Sequence, residues 1–148
     1  MLDKISKYFS PELLATIYSM GHGDEIVLAD AHFPGYTFNP NVIRADGVEI
    51  ENLLEAILPL FPLDDFVKDP VVMMSPVEGD TADPAVAKNY WSIIQKQATK
   101  CPDIIYLERF AFYERTKNAS AVVITGCTKK YGNIILKKGV VSSSDVCS

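Results

Sequence analysis

Cysteine and histidine are scarce in this chain, and their spacing excludes the common sites built from them. The three cysteines, Cys101, Cys127 and Cys147, form no Cys-x-x-Cys pair, which argues against a disulfide framework or a structural zinc site. The two histidines, His22 and His32, have no cysteine beside them. Carboxylates would have to supply most of the ligands of any metal ion, which suits zinc and copper poorly. We therefore expect no metal site.

Long apolar runs and runs of basic residues are also missing. No apolar stretch approaches the length of about 20 residues that spans a bilayer. Residues 1–4 lead into an amphipathic segment and not into the apolar part of a secretory signal. The net charge of -5 and the pI near 5.0 disfavour binding to nucleic acid or to an anionic membrane surface. We expect a soluble cytoplasmic protein with neither nucleic acid nor membrane as a partner.

Glycine-rich nucleotide-binding motifs and the nucleophile elbow are absent as well. The sequence contains no Gly-x-x-x-x-Gly-Lys, no Gly-x-Gly-x-x-Gly and no Gly-x-Ser-x-Gly. No cysteine has an obvious activating base nearby in the sequence. What remains is acid–base chemistry by histidine, aspartate and tyrosine, with arginine and asparagine to hold a polar ligand. We expect no cofactor.

Residues 20–34 carry the first candidate groups for such chemistry. Ile26–Ala29 is a continuous apolar run of strand length, typical of a buried parallel strand. Asp30 follows this strand, at the end where open α/β sheets bind ligands. His22 precedes the strand between two glycines, so it reaches Asp30 only if the glycine loop folds over. The alternative is that Asp30 is a turn former and His22 an ordinary polar loop residue.

The rest of the chain alternates predicted helices and strands. Helices are predicted from Pro11 to a stop at Gly21, over residues 50–58 and from Pro84 to about residue 98, and a short helix or turn is predicted over 109–115. Strands are predicted at residues 26–29, 71–74, 103–108, 121–126 and 134–136. Residues 31–47 carry turn signals and are predicted as one long connection. The pattern predicts one α/β domain over residues 1–148 with a mainly parallel sheet, and a flexible tail at 141–148.

Several multi-residue blocks resemble the signature of L-fucose mutarotases in the fucose mutarotase and ribose pyranase family. They span the chain from about Ser10 to Gly139 and are Met20–Glu25, Ala29-Asp30, Phe33-Pro34, Ile43–Gly47, Pro62–Asp64, Arg109–Arg115, Thr125-Gly126 and Tyr131–Gly139. The Phe-Tyr-Glu-Arg block and the Tyr-Gly-Asn turn are similar to the fucose branch and not to the ribose branch. The chain departs from the pattern at Cys127, where members usually carry an acid, at Ser120, where an aromatic is common, and in the loop at 35–42.

This resemblance implies a three-layer fold and an isomerase that interconverts the α and β anomers of L-fucose without a cofactor. Ring opening takes a proton from the anomeric hydroxyl and delivers one to the ring oxygen. By resemblance His22 is the proton donor, with Tyr113 and Tyr131 as partner groups. The residues implied to hold the sugar are Asp30, Asp64, Arg109, Tyr131, Gly132 and Asn133. The family also implies a ring-shaped homo-oligomer, commonly a decamer, with each site completed across a subunit boundary.

Two other functions remain open from the sequence. A non-catalytic sugar-binding or sensing module on the same scaffold would need no group that titrates near pH 7, as histidine does. Ribose pyranase activity would differ in the sugar alone. Without the resemblance, the aromatic surroundings of Tyr113 indicate core or interface packing. The helical spacing of Trp91 predicts packing, and His32 is interpreted as a loop residue.

Overall fold

The apolar runs of the sequence become the strands of one six-stranded sheet. The protein is described by a computed structural model that covers residues 1–98 and 101–143. The strands are β1 Glu25–Ala29, β2 Val42–Ala45, β3 Val71–Met74, β4 Ile105–Leu107, β5 Ala121–Thr125 and β6 Ile134–Lys137. All five predicted strands are therefore confirmed, and β2 is an addition to them.

The strand order is β2-β5-β1-β6-β3-β4. β6 runs antiparallel to both of its neighbours, β1 and β3, while the pairs β1/β5, β2/β5 and β3/β4 are parallel. Five strands therefore point the same way, which confirms the mainly parallel sheet. We call the edge where these five strands end the carboxyl edge, and the opposite edge the amino edge. β6 starts at the carboxyl edge and ends at the amino edge.

The prediction of one long connection over residues 31–47 is wrong, because the segment contains β2 and a short helix, α2 Gly35–Phe38. Val42–Ala45 is short and its middle is interrupted by Arg44, so its local pattern is weak. Pairing with β5 stabilises the strand despite this weak pattern, since Val42 lies opposite Val122 and Ile43 opposite Val123. As an edge strand, β2 has its second side free of any strand in the described sheet.

Helices cover both faces of the sheet and give the predicted three layers. Within β1, Ile26 and Leu28 pack into one buried cluster, and Val27 and Ala29 into the other. The first cluster lies under α1 Pro11–Ser19, α3 Ile50–Ile57 with the 3-10 turn Leu58–Leu60, and α4 Pro84–Gln97. The second cluster includes Phe112 of α5 Arg109–Asn118. Helix α5 also contacts α2. Both faces of the sheet are buried, which explains why these strands consist of continuous apolar runs.

Side-chain caps set where the helices begin. The Ser10 Oγ accepts a hydrogen bond from the Leu13 N–H at 3.1 Å, as the sequence predicts for α1. The Glu108 carboxylate accepts from the N–H groups of Phe110 and Ala111 and caps α5. This cap places Arg109 at the first helical position, directly after β4 and therefore at the carboxyl edge.

Two remaining predictions have different outcomes. The packed aromatic of α4 is Tyr90, which is fully buried, whereas Trp91 is 37% exposed, so the packing predicted for Trp91 is wrong. Part of the predicted flexible tail, 144–148, lies outside the described residues, and 141–143 are exposed. None of the helices in the described part of the chain is both long enough and apolar enough to cross a membrane.

Candidate active site

A pocket of about 290 Å³ opens at the carboxyl edge of the sheet. Its walls come from the segments that follow β1, β3 and β4 and from the segment that precedes β6. The predicted site residues that line it are Asp30, Arg109, Tyr113, Tyr131 and Asn133. Its volume is close to the lower end of the range of about 300–1,000 Å³ for ligand sites, which suits a small polar ligand. We call this cavity the carboxyl-edge pocket.

Asp30 and Asn133 form the buried polar floor of the carboxyl-edge pocket. The Asn133 Oδ1 accepts the Asp30 backbone N–H at 2.7 Å, which ties the end of β1 to the start of β6. The Asp30 Oδ1 accepts the backbone N–H of His32 at 2.9 Å. Burial raises the pKa of the Asp30 carboxyl, and hydrogen bonds from His32 and Asn133 offset this in part. Because both side chains are almost fully buried, they are held rigidly in place for a ligand.

The Tyr131–Asn133 turn presents a second wall. Tyr131 has a φ of 57°, an uncommon conformation for a residue with a side chain. The buried Tyr90 hydroxyl donates to the Gly132 carbonyl at 2.9 Å and supports the turn from α4. A Cβ on Gly132 would lie 3.1 Å from the Lys129 carbonyl oxygen and 3.2 Å from that hydroxyl, so a side chain there would have to displace both neighbours slightly. Gly132 itself does not line the carboxyl-edge pocket, but it joins Tyr131 to Asn133, which do.

Tyr113 lies in an aromatic cluster beside the same pocket. Its ring stacks on Phe38 at 4.4 Å between centroids and meets Phe33 edge-on at 5.8 Å. The packing expected of Tyr113 without the resemblance is therefore present, yet the residue also lines the carboxyl-edge pocket. At the rim, the Arg109 guanidinium lies 4.7 Å from the centre of the Phe110 ring.

His22 and Asp64 form a separate pair at the amino edge. The His22 Nε2 lies 3.1 Å from the Asp64 Oδ1, and the two side chains are 44% and 3% exposed. The Asp64 Oδ1 also accepts the Phe66 N–H at 3.0 Å. Burial alone would raise the pKa of Asp64, but the Phe66 N–H and the His22 ring outweigh it and hold that pKa below its usual value. We call these two residues the His22–Asp64 pair.

Within the chain, the His22–Asp64 pair does not meet the carboxyl-edge pocket. The glycine loop does not fold over, because the Gly23 N–H bonds to the Lys138 carbonyl at 2.8 Å beyond the far end of β6. The five-residue strand β1 separates His22 from Asp30, a distance of roughly 16 Å at about 3.3 Å per residue. The structure therefore brings five predicted site residues together and leaves His22 and Asp64 at the opposite edge.

The residues that line the pocket but were not predicted as site residues include His32 and Asp80. His32, interpreted as a loop residue, lines the carboxyl-edge pocket. Asp80 also lines it, from the polar loop that follows β3. The available signal was position, since both residues follow strands whose carboxyl ends meet at this edge. Among residues 1–98 and 101–143, no three His, Cys, Asp or Glu side chains are grouped to hold a metal ion.

A larger cavity of about 500 Å³ lies elsewhere, between α1 and the starts of β2 and β5. Its polar lining includes Glu12, Ser19 and Asn41, and none of the predicted site residues contributes to it. Size therefore does not identify the site. The carboxyl-edge pocket is the better candidate because carboxylate, amide, guanidinium and phenol groups converge there.

Comparisons with known proteins identify the family and the fold. The sequence matches the RbsD / FucU transport protein family over residues 3–141. The chain is similar to the fucose mutarotase from Streptococcus pneumoniae, whose crystal structure was solved in complex with L-fucose. The two sequences are 49% identical, the match covers 95% of this chain and 100% of that one, and the TM-score is 0.90.

Two further structures extend the comparison. FucU from Bifidobacterium longum is 42% identical, with 93% of this chain and 99% of that one covered and a TM-score of 0.89. RbsD from Bacillus subtilis, complexed with D-ribose, is 23% identical over 96% of this chain and 100% of that one, with a TM-score of 0.73. That last likeness concerns the fold alone. Together with the match over nearly the whole sequence, these findings establish that the chain belongs to the RbsD / FucU family.

Proposed function

We propose that this protein is an L-fucose mutarotase, an isomerase that interconverts the α and β anomers of L-fucose by opening and reclosing the sugar ring. One observation carries the proposal. The chain is 49% identical over nearly its whole length to a fucose mutarotase crystallised with L-fucose. The carboxyl-edge pocket supports the proposal, since it gathers five residues of the expected site. The pocket supplies acceptors and donors suited to sugar hydroxyls, with aromatic rings beside them.

The chemistry requires two groups that exchange protons with the sugar. One group takes the proton of the anomeric hydroxyl, another gives a proton to the ring oxygen, and each contributes about 10²–10⁴ in rate. In our proposal His22 is the donor, and Tyr113 and Tyr131 are the partner groups. Asp30, Arg109, Tyr131 and Asn133, which line the pocket, bind the hydroxyls. The family resemblance adds Gly132, which joins Tyr131 to Asn133.

For Asp64 we propose a role other than the direct sugar contact that the resemblance implies. Its carboxylate is 3% exposed and already bonds to the Phe66 N–H and the His22 ring. Little of it is left to face a sugar. We propose that Asp64 accepts the Nε2–H of His22 and so orients the imidazole, and that the proton given to the sugar is carried on Nδ1.

A complete site then needs two copies of the chain, because one copy holds the His22–Asp64 pair and the carboxyl-edge pocket at opposite edges of its sheet. Exposed apolar side chains flank both. Phe66, 74% exposed, lies with its ring centre 5.2 Å from that of His22, and Val140, 52% exposed, follows Gly139 in the chain. Phe110, 62% exposed, contacts the ring of Tyr113, and Tyr106, 51% exposed, belongs to the edge strand β4. Apolar patches of this kind mark association surfaces. We propose that the pair of one copy closes the pocket of the next.

The ring-shaped decamer and the cytoplasmic location remain proposals, supported by the family resemblance. For the decamer, light scattering on the purified protein should give about ten times the 16.4 kDa mass of one chain. A smaller closed assembly would correct the subunit number and leave the shared site in place. A monomer that still catalyses would overturn the shared site.

Saturation-transfer NMR on L-fucose at anomeric equilibrium tests the activity directly. Wild-type protein should speed exchange between the two anomer signals, and His22→Ala should slow it by about 10²–10⁴ because the proton donor is lost. His22→Gln keeps a donor for Asp64 but does not titrate, so it should be equally impaired. Tyr18→Phe, on a residue 91% exposed, serves as the control that passes through the same purification.

The other outcomes of this experiment separate the alternatives. Sugar binding without any acceleration by wild type would favour the sensing module and overturn the catalytic proposal. Acceleration of D-ribose but not of L-fucose would assign pyranase activity. If His22→Ala exchanged the anomers as fast as wild type, His22 would not be the donor.

Mixing two inactive variants tests the shared site. His22→Ala leaves the carboxyl-edge pocket intact, and Tyr131→Phe leaves the His22–Asp64 pair intact. Random co-assembly of equal amounts restores both halves at about a quarter of the sites if each site joins two copies. Activity near a quarter of wild type supports the proposal. No recovery, with mixed assemblies demonstrated by a tag on one variant, overturns it.

A further inference from the structure

Asp80 is the acidic residue that the proposed chemistry has not used, although it lines the carboxyl-edge pocket. It lies in the loop between β3 and α4, where the polar loop directly follows a parallel strand. Its Oδ2 accepts the hydroxyl of Tyr131 at 2.7 Å, and its Oδ1 accepts the Thr81 N–H at 2.8 Å. The Lys130 Nζ lies 3.4 Å from both carboxylate oxygens. Asp80 is thus held by contacts from its own loop and from the segment before β6.

The direction of the bond between Asp80 and Tyr131 is fixed. The Tyr131 hydroxyl, the Thr81 N–H and the Lys130 ammonium hold the pKa of Asp80 below its usual value, so the group is an anion at neutral pH. An ionised carboxylate only accepts hydrogen bonds. The phenol must therefore be the donor, and its single hydrogen points at Asp80 and away from any other partner.

The Tyr131 oxygen is consequently an acceptor towards the rest of its surroundings. The Val77 N–H already approaches it at 3.4 Å, a long contact that leaves room for a second donor. The position of the ring is set from two sides, by the positive φ of Tyr131 and by the Tyr90 hydroxyl on the Gly132 carbonyl. A sugar hydroxyl in the pocket therefore meets an oriented acceptor in place of a freely rotating hydroxyl.

We propose that Asp80 is a positioning residue that holds the Tyr131 hydroxyl as a hydrogen-bond acceptor for a hydroxyl of the bound sugar. The inference rests on the proposed function and deepens it, because it makes the Tyr131 oxygen a hydrogen-bond acceptor from the sugar and leaves proton donation to His22. Asp80 acts through Tyr131 and not on the sugar.

A double-mutant cycle read by anomer exchange tests this inference. Exchange rates are measured as a function of L-fucose concentration for wild type, Asp80→Ala, Tyr131→Phe and the double variant. Asp80→Ala should lower kcat by about tenfold or more and change KM by less than about threefold, because a misplaced group costs rate more than binding. In the Tyr131→Phe background, Asp80→Ala should have almost no further effect.

Two more variants separate positioning from general disruption of the loop. Asp80→Asn retains a neutral acceptor for the phenol and should recover part of the lost kcat. It also keeps the inference testable if Asp80→Ala does not fold. Glu78→Ala removes an exposed carboxylate from the same loop and should behave as wild type.

The outcomes distinguish this inference from the proposed function. If wild type accelerates exchange but the Asp80 and Tyr131 effects multiply, or if Asp80→Ala equals wild type, the role of Asp80 is overturned and the mutarotase stands. If KM rises while kcat is unchanged, Asp80 serves binding and the inference fails. If wild type itself does not accelerate exchange, the proposed function fails first.

Discussion

The exposed His22 imidazole rests on the buried Asp64 carboxylate, with 3.1 Å between Nε2 and Oδ1. The pair joins the glycine loop before β1 to the segment between α3 and β3. The Asp64 backbone N–H bonds in turn to the Lys137 carbonyl at the end of β6. The sheet therefore anchors the carboxylate, and the carboxylate anchors the ring.

Asp64→Asn should make the free energy of unfolding depend less on pH in the acidic range. The folded state lowers the pKa of Asp64, so its ionised form stabilises the fold above the unfolded value of about 3.9 and this contribution is lost as the pH falls through the folded pKa. Urea unfolding should show wild type more stable by about 1–3 kcal/mol at pH 7, with the gap closing below about pH 4. Asp103→Asn, at an exposed position, is the control. A gap that stays constant with pH would contradict this account.

Gly139→Ala should disturb the His22–Asp64 pair without touching either side chain. A Cβ there would lie 2.6 Å from the Leu63 carbonyl oxygen and 2.9 Å from the Asp64 Cα, so backbone has to move. We expect a loss of about 1–3 kcal/mol in urea unfolding and slower anomer exchange. Gly21→Ala is the matched control beside His22, because its Cβ meets no heavy atom closer than 3.6 Å. Equal behaviour of the two variants would refute the prediction.

Tyr90→Phe should weaken both the fold and sugar binding. It removes the 2.9 Å hydrogen bond to the Gly132 carbonyl and leaves that buried acceptor unpaired, at a cost of about 1–3 kcal/mol. The 131–133 turn loses its support, so the dissociation constant for L-fucose, measured by calorimetry, should rise. Tyr18→Phe makes the same chemical change at an exposed site and should alter neither quantity. Unchanged sugar affinity in Tyr90→Phe would show that the turn needs no support from α4.

Arg115→Met should cost far more stability than Lys117→Met on the same helix. Arg115 bonds to Glu25 of β1 and, at 2.7 Å, to Asp69, and the Glu25 side chain is only 13% exposed. Removing the cation leaves a largely buried carboxylate without its partner, which should cost about 2 kcal/mol or more. The Lys117–Glu114 pair is exposed, and its loss should cost about 0.5 kcal/mol or less. Thermal unfolding of both variants in parallel measures the difference, and similar costs would contradict it.

How far the sequence predicts the fold depends on where each strand lies in the sheet. β3 was predicted at its observed bounds, because Val71–Met74 is an apolar run buried on both faces and follows Pro70. β2 was missed because it is an edge strand whose pairing with β5 outweighs its weak local pattern. Asp30 was placed correctly from its position after β1, a rule that depends on chain order alone.

The site is predictable from the sequence only in part, for a physical reason. Chain order places His22 before β1 and Asp30 after it, yet it does not say that these ends stay on opposite edges of the sheet. The contact of Asp80 with Tyr131 joins residues far apart in the sequence and depends on the loop after β3 meeting the turn before β6. The hydrophobic periodicity of the sequence carries no information about a contact between two such distant loops.

The position of β1 in the middle of the sheet also has a consequence for synthesis of the protein. Both of its neighbours, β5 and β6, belong to the last third of the chain. A nascent chain still attached to the ribosome therefore carries β1 with both edges unpaired until the C-terminal strands emerge. Pairing of β1 must wait until β5 and β6 have been translated, and during that interval an apolar strand is open to aggregation or to a chaperone.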